Sequence, residues 1–323
     1  MFCSTVIPTI GRPTLARAVT SVLDQVLTRA DFEIIVVNDS GQRLVDETWQ
    51  QAACVRIVET QQHERSVARN TGAALARGKY LHFLDDDDWL LPGALERFWT
   101  LAQTAKAAGW LYGATQLVDR AGQPLLPLHH KLTGNCLIQT LAGEWIPLQA
   151  SLIKTETFFD VGGFNPLLTG PEDIDLLRRI ALHSDLAGDE SLVACVGMGQ
   201  TNSSTNQASH APQSRWAREQ ILNQPGVLGR LHNSIRSAVQ PESSAAGWHG
   251  RLLRIYLTSL LWNVQRGKLT TAISRAAFAT AGLIAAGTHV VSAEFWRAIV
   301  RAYASETFRH GRQPVDPWGF DLG

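Results

Sequence analysis

Residues 80–89 read YLHFLDDDDW: the strand-forming run Tyr80-Leu81-His82-Phe83-Leu84 passes without a break into four adjacent aspartates, Asp85 to Asp88. Four neighbouring carboxylates repel one another, so holding them at the end of an apolar strand is unfavourable unless a cation neutralises them. Oxygen-only ligands suit Mg²⁺ or Mn²⁺, which take one or two protein carboxylates and complete their shell with phosphate oxygens and water. An acidic run at large is more often a solvated loop, here with Asp88 capping the next helix. The apolar strand ahead of it favours a ligand site, because open parallel sheets bind ligands beyond the carboxyl ends of their strands.

Upstream, strand-length apolar runs alternate with helix-period segments. Phe2 to Ile7 is β-branched and expected to stop at Pro8, and Leu15, Val19, Val22, Leu23 and Val26 follow at helical spacing with Thr14 placed to cap them. Glu33 to Val37 is a second strand ending in Asn38-Asp39-Ser40-Gly41, and Val55 to Val58 a third. Ser66 to Arg77 reads as a helix closed by Gly78, and Pro92 opens another that reaches about Ala108. The alternation predicts an α/β fold whose mostly parallel mixed sheet is flanked by helices. Thr9 and Arg12 then follow strand one, Asp39 follows strand two, and the aspartates follow strand four.

Further on, Trp110 to Leu117 reads as a strand with a turn at Ala121-Gly122, Ile146 to Ile153 is an apolar run, and Ile174 to His183 is a short helix. Asn202 to Ser214 is polar enough for a lid loop. Gln240 to Gly250, rich in Ser, Ala and Gly, is the expected boundary, giving a catalytic domain over 1–240 and a helical C-terminal extension over 251–323. Ala276 to Ala293 lacks Asp, Glu, Lys and Arg but is too rich in Ala, Gly and Thr for a bilayer span, so a buried helix is expected.

Composition narrows the function classes. Charged residues make up 18% of the 323, and formal net charge is zero, so nothing draws the chain as a whole toward nucleic acid or an anionic membrane. Cys3, Cys54, Cys136 and Cys195 are far apart and read as buried thiols in a reducing compartment. Met1 leads straight into a strand without a basic leader, so a cytoplasmic location is expected. The first turn, Pro8-Thr9-Ile10-Gly11-Arg12-Pro13, has no GxGxxG and no P-loop, which removes the dinucleotide-binding reading.

The strings VIPTIGRP, VVNDSG, ARNTG, FLDDDDW, GGF and EDIDLLRR occur in the order seen in family 2 glycosyltransferases of the A-type fold. The resemblance covers roughly Phe2 to Ala181, and it implies an inverting, metal-dependent transfer of a sugar from a nucleoside-diphosphate sugar to an acceptor hydroxyl. A UDP-sugar is the favoured donor; a sugar, a lipid-linked sugar or another hydroxyl compound is the acceptor; Mn²⁺ or Mg²⁺ is the cofactor. Polysaccharide or glycoconjugate synthesis is the implied setting.

Carried over by position, Pro8, Thr9 and Arg12 would line the donor pocket. Asp39 would hydrogen-bond the base, its alternative being a turn-forming Asp before Ser-Gly. Arg69, in ARNTG, would reach donor phosphate or ribose, and Arg65 could serve similarly. Asp85 would meet ribose or a metal-bound water and help hold the metal, Asp87 would ligate it directly, and Asp86 would sit by the donor. Of the acidic pair Glu172-Asp173, Asp173 would be the general base, with Glu172 the runner-up or an acceptor-binding partner; the alternative is a pair of helix-start carboxylates favoured by the macrodipole. Gly162-Gly163-Phe164 would shape the acceptor loop. The family's late-loop histidine has no counterpart in Gly197-Met198-Gly199-Gln200, and His210 stays unassigned.

Two other classes compete. A nucleotidyltransferase would want a Gly- and Lys-rich loop after strand one, which is missing. A non-catalytic scaffold of a polysaccharide-assembly complex has no reason to concentrate acids at 85, 87 and 173. In the tail, Trp262, Arg266, Phe295, Trp296 and Arg297 would either pack against the catalytic domain or make peripheral contact with the inner face of a membrane.

Overall fold

The computed structural model describes residues 1–61, 64–197, 207–237 and 244–300. Two compact units divide the chain: Met1–Gly134 with Ile146–Gln207, and Asn135–Trp145 with the residues from Ala208 onward.

In the first unit, β1 (Cys3–Thr9), β2 (Phe32–Asn38), β3 (Val55–Glu59) and β4 (Tyr80–Phe83) pair in parallel in the spatial order β3-β2-β1-β4. The chain builds outward from β1 to β3, then crosses back to lay β4 on the other side of β1. That reversal is the switch point at which open α/β sheets take ligands. The crossovers use α1 (Leu15–Leu23) and α2 (Arg65–Leu75). α1 buries Leu15, Ala18, Val19 and Val22, one helical stripe, and β2 is buried from Glu33 to Asn38, as a strand covered on both faces must be.

Three local expectations fail for physical reasons. β1 runs through Pro8 to Thr9, opposite Val37 and Asn38. Val6, two residues earlier, accepts from Leu84 on the β4 side, so the Pro8 imide faces that side too, where β4 pairing has ended at Phe83 and no ladder bond is lost. Thr14 precedes α1 with helical rather than extended dihedrals, and its hydroxyl makes no capping bond. Gly78 does not close α2, which ends at Leu75. A Cβ there would lie 2.5 Å from the Cys3 and Ser4 backbone, so this glycine serves a close chain crossing.

Beyond β4 the chain continues as β5 (Trp89–Leu90), α3 (Ala94–Thr104), β6 (Ala108–Val118), β7 (Pro124–Leu128), α4 (Leu137–Ala142), β8 (Ser151–Lys154), α5 (Thr155–Asp160), α6 (Glu172–His183) and β9 (Asp185–Gly197). β8 is antiparallel to both β4 and β6, β9 is parallel to β6, and β7 and β5 add antiparallel pairs. The sheet is therefore mixed: β3-β2-β1-β4 is all parallel, and beyond β4 the parallel pair β6-β9 sits among antiparallel ones. α3 starts after Gly93, at φ +79, and stops at Thr104, so Ala108 already belongs to β6.

The second unit holds α4, α7 (Gln207–Leu222), α8 (Val227–Ser237), α9 (Ala245–Gln265), α10 (Leu269–Ala286) and α11 (Ala293–Val300). Of the lid loop expected over 202–214, residues 202–206 lie outside the described ones. Gln207 to Ser214 are helical, with Pro212 inside α7 at the cost of one ladder bond. The boundary expected over Gln240–Gly250 falls partly outside the described residues, and from Ser244 on it opens α9 inside the second unit. α4 belongs there because Arg254 of α9 donates to the Ala142 carbonyl (3.1 Å).

The helix expected to be buried over Ala276–Ala293 is not. α10 buries only the stripe Ala272, Arg275, Ala279, Gly282 and Ala286, while Leu269, Ile273, Leu283 and Ile284 face solvent.

Candidate functional site

The switch point brings the polar ends of β1 and β4 together. Thr9 donates its hydroxyl to Asp86 Oδ2 (2.6 Å), and Arg12 reaches Asp86 Oδ1 (2.8 Å) and Asp87 Oδ2 (3.3 Å). Arg17 binds the Asp87 carbonyl (3.0 Å). The string turns on itself, the Asp88 amide donating to the Asp85 carbonyl, so that Asp88 points inward and its Oδ1 accepts the Gly197 amide (2.8 Å). Asp88 caps the end of β9 rather than a following helix.

α2 supplies the site's cations. Its N-terminus is capped by Glu64, whose carboxylate accepts the Ser66 and Val67 amides. Arg65 and Arg69, four residues apart, lie on one helix face. Arg69 is buried and forked: Nη2 binds Asp85 (2.6 Å) and Nη1 binds Glu172 (2.9 Å), to which Arg65 also comes within 3.4 Å. Gln149 Nε2 holds the other Asp85 oxygen (2.8 Å). The guanidinium of Arg69 is thus committed to two carboxylates and does not stand open toward a phosphate. Next to it, Asn70 donates to the Phe164 carbonyl (2.8 Å) and accepts the Phe164 amide (2.9 Å). A Cβ on Gly163, at φ +68, would lie 2.8 Å from Asn70 Oδ1, so the ARNTG and GGF strings are two halves of one clamp.

Glu172 and Asp173 begin α6 instead of preceding it. Glu172 is buried against Arg69. Asp173 is only partly buried, and its Oδ1 accepts the Ile174 amide (2.7 Å). Asp39 is buried at the end of β2, accepting from Thr60 Oγ1 (2.8 Å) and the Glu64 amide (2.7 Å). The turn after β2 is made by Asn38, whose side chain accepts from Ser40. Pro8 is partly buried within β1.

Proton affinities follow this geometry. Burial alone would raise Asp85, but the Arg69 charge and hydrogen bond, with Arg65 and Gln149, hold it below the ordinary range. Burial and then Asp85 push Asp87 up, and burial with Asp85 and Asp87 pushes Asp88 well above its ordinary value. Burial, followed by the Glu172 charge, lifts Asp173 to about 7.

The sequence profile of Glycosyl transferase family 2 matches residues 4–165. The chain belongs to that family. An uncharacterized glycosyltransferase of Haemophilus influenzae is 26% identical over 184 residues, which is 55% of this chain and 61% of the relative. A poly(ribitol-phosphate) beta-N-acetylglucosaminyltransferase, TarP, of Staphylococcus aureus is 33% identical over 99 residues, 29% of this chain and 30% of the relative. The matched stretch therefore spans less than two thirds of these curated relatives. Among solved structures, S. aureus TarS 1-349 in complex with UDP-GlcNAc aligns at TM-score 0.54 and 15% identity, over 85% of this chain and 89% of that one. At that identity the likeness is one of fold.

For this family 2 chain, the cation expected at the aspartate string meets a fitting donor set. Asp85, Asp87 and Asp88 each bring one carboxylate oxygen within 4.8 Å of the others, an all-oxygen cluster of the kind Mg²⁺ or Mn²⁺ takes. Sequence reasoning named Asp85 and Asp87 but not Asp88, and it missed Gln149 and His82. His82, neutral with its pKa pressed to about 4 by burial, bonds Thr5 through Nδ1 and the Gln149 carbonyl through Nε2, which fixes the residue that fixes Asp85. A histidine inside an otherwise apolar strand was the available signal. The residues sought for the late-loop histidine, Met198–Gln200, lie outside the described ones.

Proposed function

We propose that this chain is an inverting glycosyltransferase acting in the cytoplasm, moving a sugar from a nucleoside-diphosphate sugar, a UDP-sugar by preference, to an acceptor hydroxyl in polysaccharide or glycoconjugate synthesis. The observation that carries the reading is the chain of contacts Asp85–Arg69–Glu172, which ties the aspartate string to the acid pair that begins α6. Asp173, beside Glu172, is raised in proton affinity yet still reachable, as a base for a neutral hydroxyl needs to be. Asp173 Oδ2 takes the acceptor proton, while the Ile174 amide on Oδ1 and the α6 N-terminus steady the ionised carboxylate before it does so. Glu172, locked on Arg69, positions Asp173 and is not the base. Asp85, Asp87 and Asp88 would hold Mg²⁺ or Mn²⁺, which supplies charge stabilisation for the departing diphosphate. Pro8, Thr9 and Arg12 border the donor at the switch point, Asp86 anchors both Thr9 and Arg12, and Asp39 reads the base.

The test is a panel of nucleotide sugars assayed for hydrolysis and transfer with Mn²⁺, Mg²⁺ or EDTA, alongside thermal shift with UDP. Metal-dependent turnover of one donor, an inverted product anomer by NMR, and a loss of at least about 100-fold in Asp173→Asn with donor affinity kept are expected. Retained configuration, or near-normal transfer by Asp173→Asn, would sink the single-displacement reading; equal UDP stabilisation in EDTA would remove the metal from donor binding.

A further inference from the structure

α10 spans 18 residues, about 27 Å at ~1.5 Å per residue, and its solvent side carries no ionised group. Ile273 is 70% and Ile284 76% exposed, with Leu269 and Leu283 also in solvent, and just past the helix Val291 is 85% exposed. The single charged residue of α10, Arg275, turns inward to Ser259 Oγ (3.0 Å) and Asn223 Oδ1 (2.6 Å). Cations stand at the two ends of the face: Arg266 and Lys268 before the helix, Arg297 with the exposed Trp296 after it. Over residues 244–300 the sequence has six Lys and Arg against one acid, Glu294, in a chain whose net charge is zero.

We infer that this face docks on an anionic lipid bilayer, with α10 lying in the interfacial plane. Monomer surfaces rarely leave so long an apolar strip uncovered, and interfacial helices combine such a strip with basic and tryptophan edges. Length and hydropathy alone would let Leu269–Val291 cross a membrane. Crossing would strip Arg275 from partners that belong to neighbouring helices, whereas lying flat leaves those bonds intact. A second copy of the chain fits less well. Two-fold pairing of the face brings its cationic ends, Arg266 with Lys268 and Arg297, against one another. The inference does not depend on the sugar-transfer reading.

Flotation of the full-length protein with vesicles tests it, comparing pure phosphatidylcholine with a phosphatidylcholine–phosphatidylglycerol mixture at low and high salt. Binding is expected to the anionic vesicles, weakened by salt. It should fall at least about tenfold in Ile273→Glu/Ile284→Glu, a change at solvent-exposed positions that leaves thermal stability near wild type. Neutralising Lys268 and Arg297 to Gln should weaken anionic binding about fivefold per cation. Failure to bind anionic vesicles at low salt overturns the proposal, as does unchanged binding by the double Glu variant. So does an oligomer in light scattering that the double Glu variant dissociates, since the face would then be covered by a second copy.

Discussion

Both compact units bury ionised side chains, yet they do so to opposite ends. In the helical unit, Glu219 Oε2 accepts from Ser259 (2.7 Å) and Asn263 (3.0 Å), and Arg275 donates to the same Ser259 hydroxyl. Acid and base share neutral partners, and the network ties α7, α9 and α10 together. At the switch point the acids are contiguous, and Arg12 and Arg69 are spread over Asp85, Asp86, Asp87 and Glu172. Asp86, Asp87 and Asp88 all sit above the ordinary carboxylate range, burial being the first cause in each. A buried network closed on its own counter-charges serves packing; one left with an excess of a single sign is arranged for a ligand of the other sign.

The largest effect that would break this contrast comes from a pair of substitutions. Asp87→Asn removes one of the crowded acids, so thermal stability should hold or rise while transfer falls by about 100-fold or more, the usual scale for losing a key electrostatic contact to the transition state. Glu219→Ala should do the reverse, costing about 3–5 kcal/mol by leaving buried Arg218 without its ion-pair partner and Ser259 and Asn263 without their shared acceptor, while turnover per folded molecule stays near normal. Denaturant melts and active-site-normalised turnover on both variants decide it. A stability loss in Asp87→Asn matching that of Glu219→Ala would erase the distinction.

The two regions also differ in how far the sequence alone discloses them. The aspartate string was legible because its members are adjacent and follow an uninterrupted apolar strand; the parallel order around it follows from alternating strand and helix periods. Asp88 was not, since its orientation depends on the Gly197 amide 109 residues away. Gln149, inside an apolar run, gains meaning only when β8 lands beside β4 and carries it to Asp85. Arg69 was found through its motif, but its commitment to Glu172 lies across 103 residues and could not be read from spacing. In the helical unit, helices were expected from 251 on but α7 and α8 were not, and the burial expected of 276–293 does not hold: composition tells that α10 is apolar and not which of its faces has a neighbour.

An intermediate effect concerns Glu172, which the proposed mechanism casts as a positioning residue. Its charge helps hold Asp173 at about 7, so kcat/KM should rise with pH through an acid limb near that value. Glu172→Gln keeps an oxygen for Arg69 while removing the like charge, so the limb should move down by about one pH unit and the plateau should fall less than in Asp173→Asn. A lowered plateau with an unmoved limb would mean that Glu172 only supports the fold.

The smallest expected effect is the most direct reading of Asp173 itself. Its carboxyl goes from an ordinary 3.8 to about 7 on folding, so the native state binds its proton more tightly than the unfolded chain does. Between those values the unfolded chain has released the proton while the native state retains it. Rising pH therefore lowers stability across this window, and the full penalty is in force above about 7. An Asn at this position carries no titrating proton and escapes that penalty. Asp173→Asn should melt within error of wild type near pH 4 and several degrees above it at pH 8, the difference opening between those two values. The same substitution that removes transfer would then stabilise the protein, as expected where a catalytic group is kept in surroundings that disfavour its charge. A melting difference that stays flat from pH 4 to pH 8 would show that burial and Glu172 do not raise the proton affinity of Asp173, and an acid limb near 7 would then belong to another group.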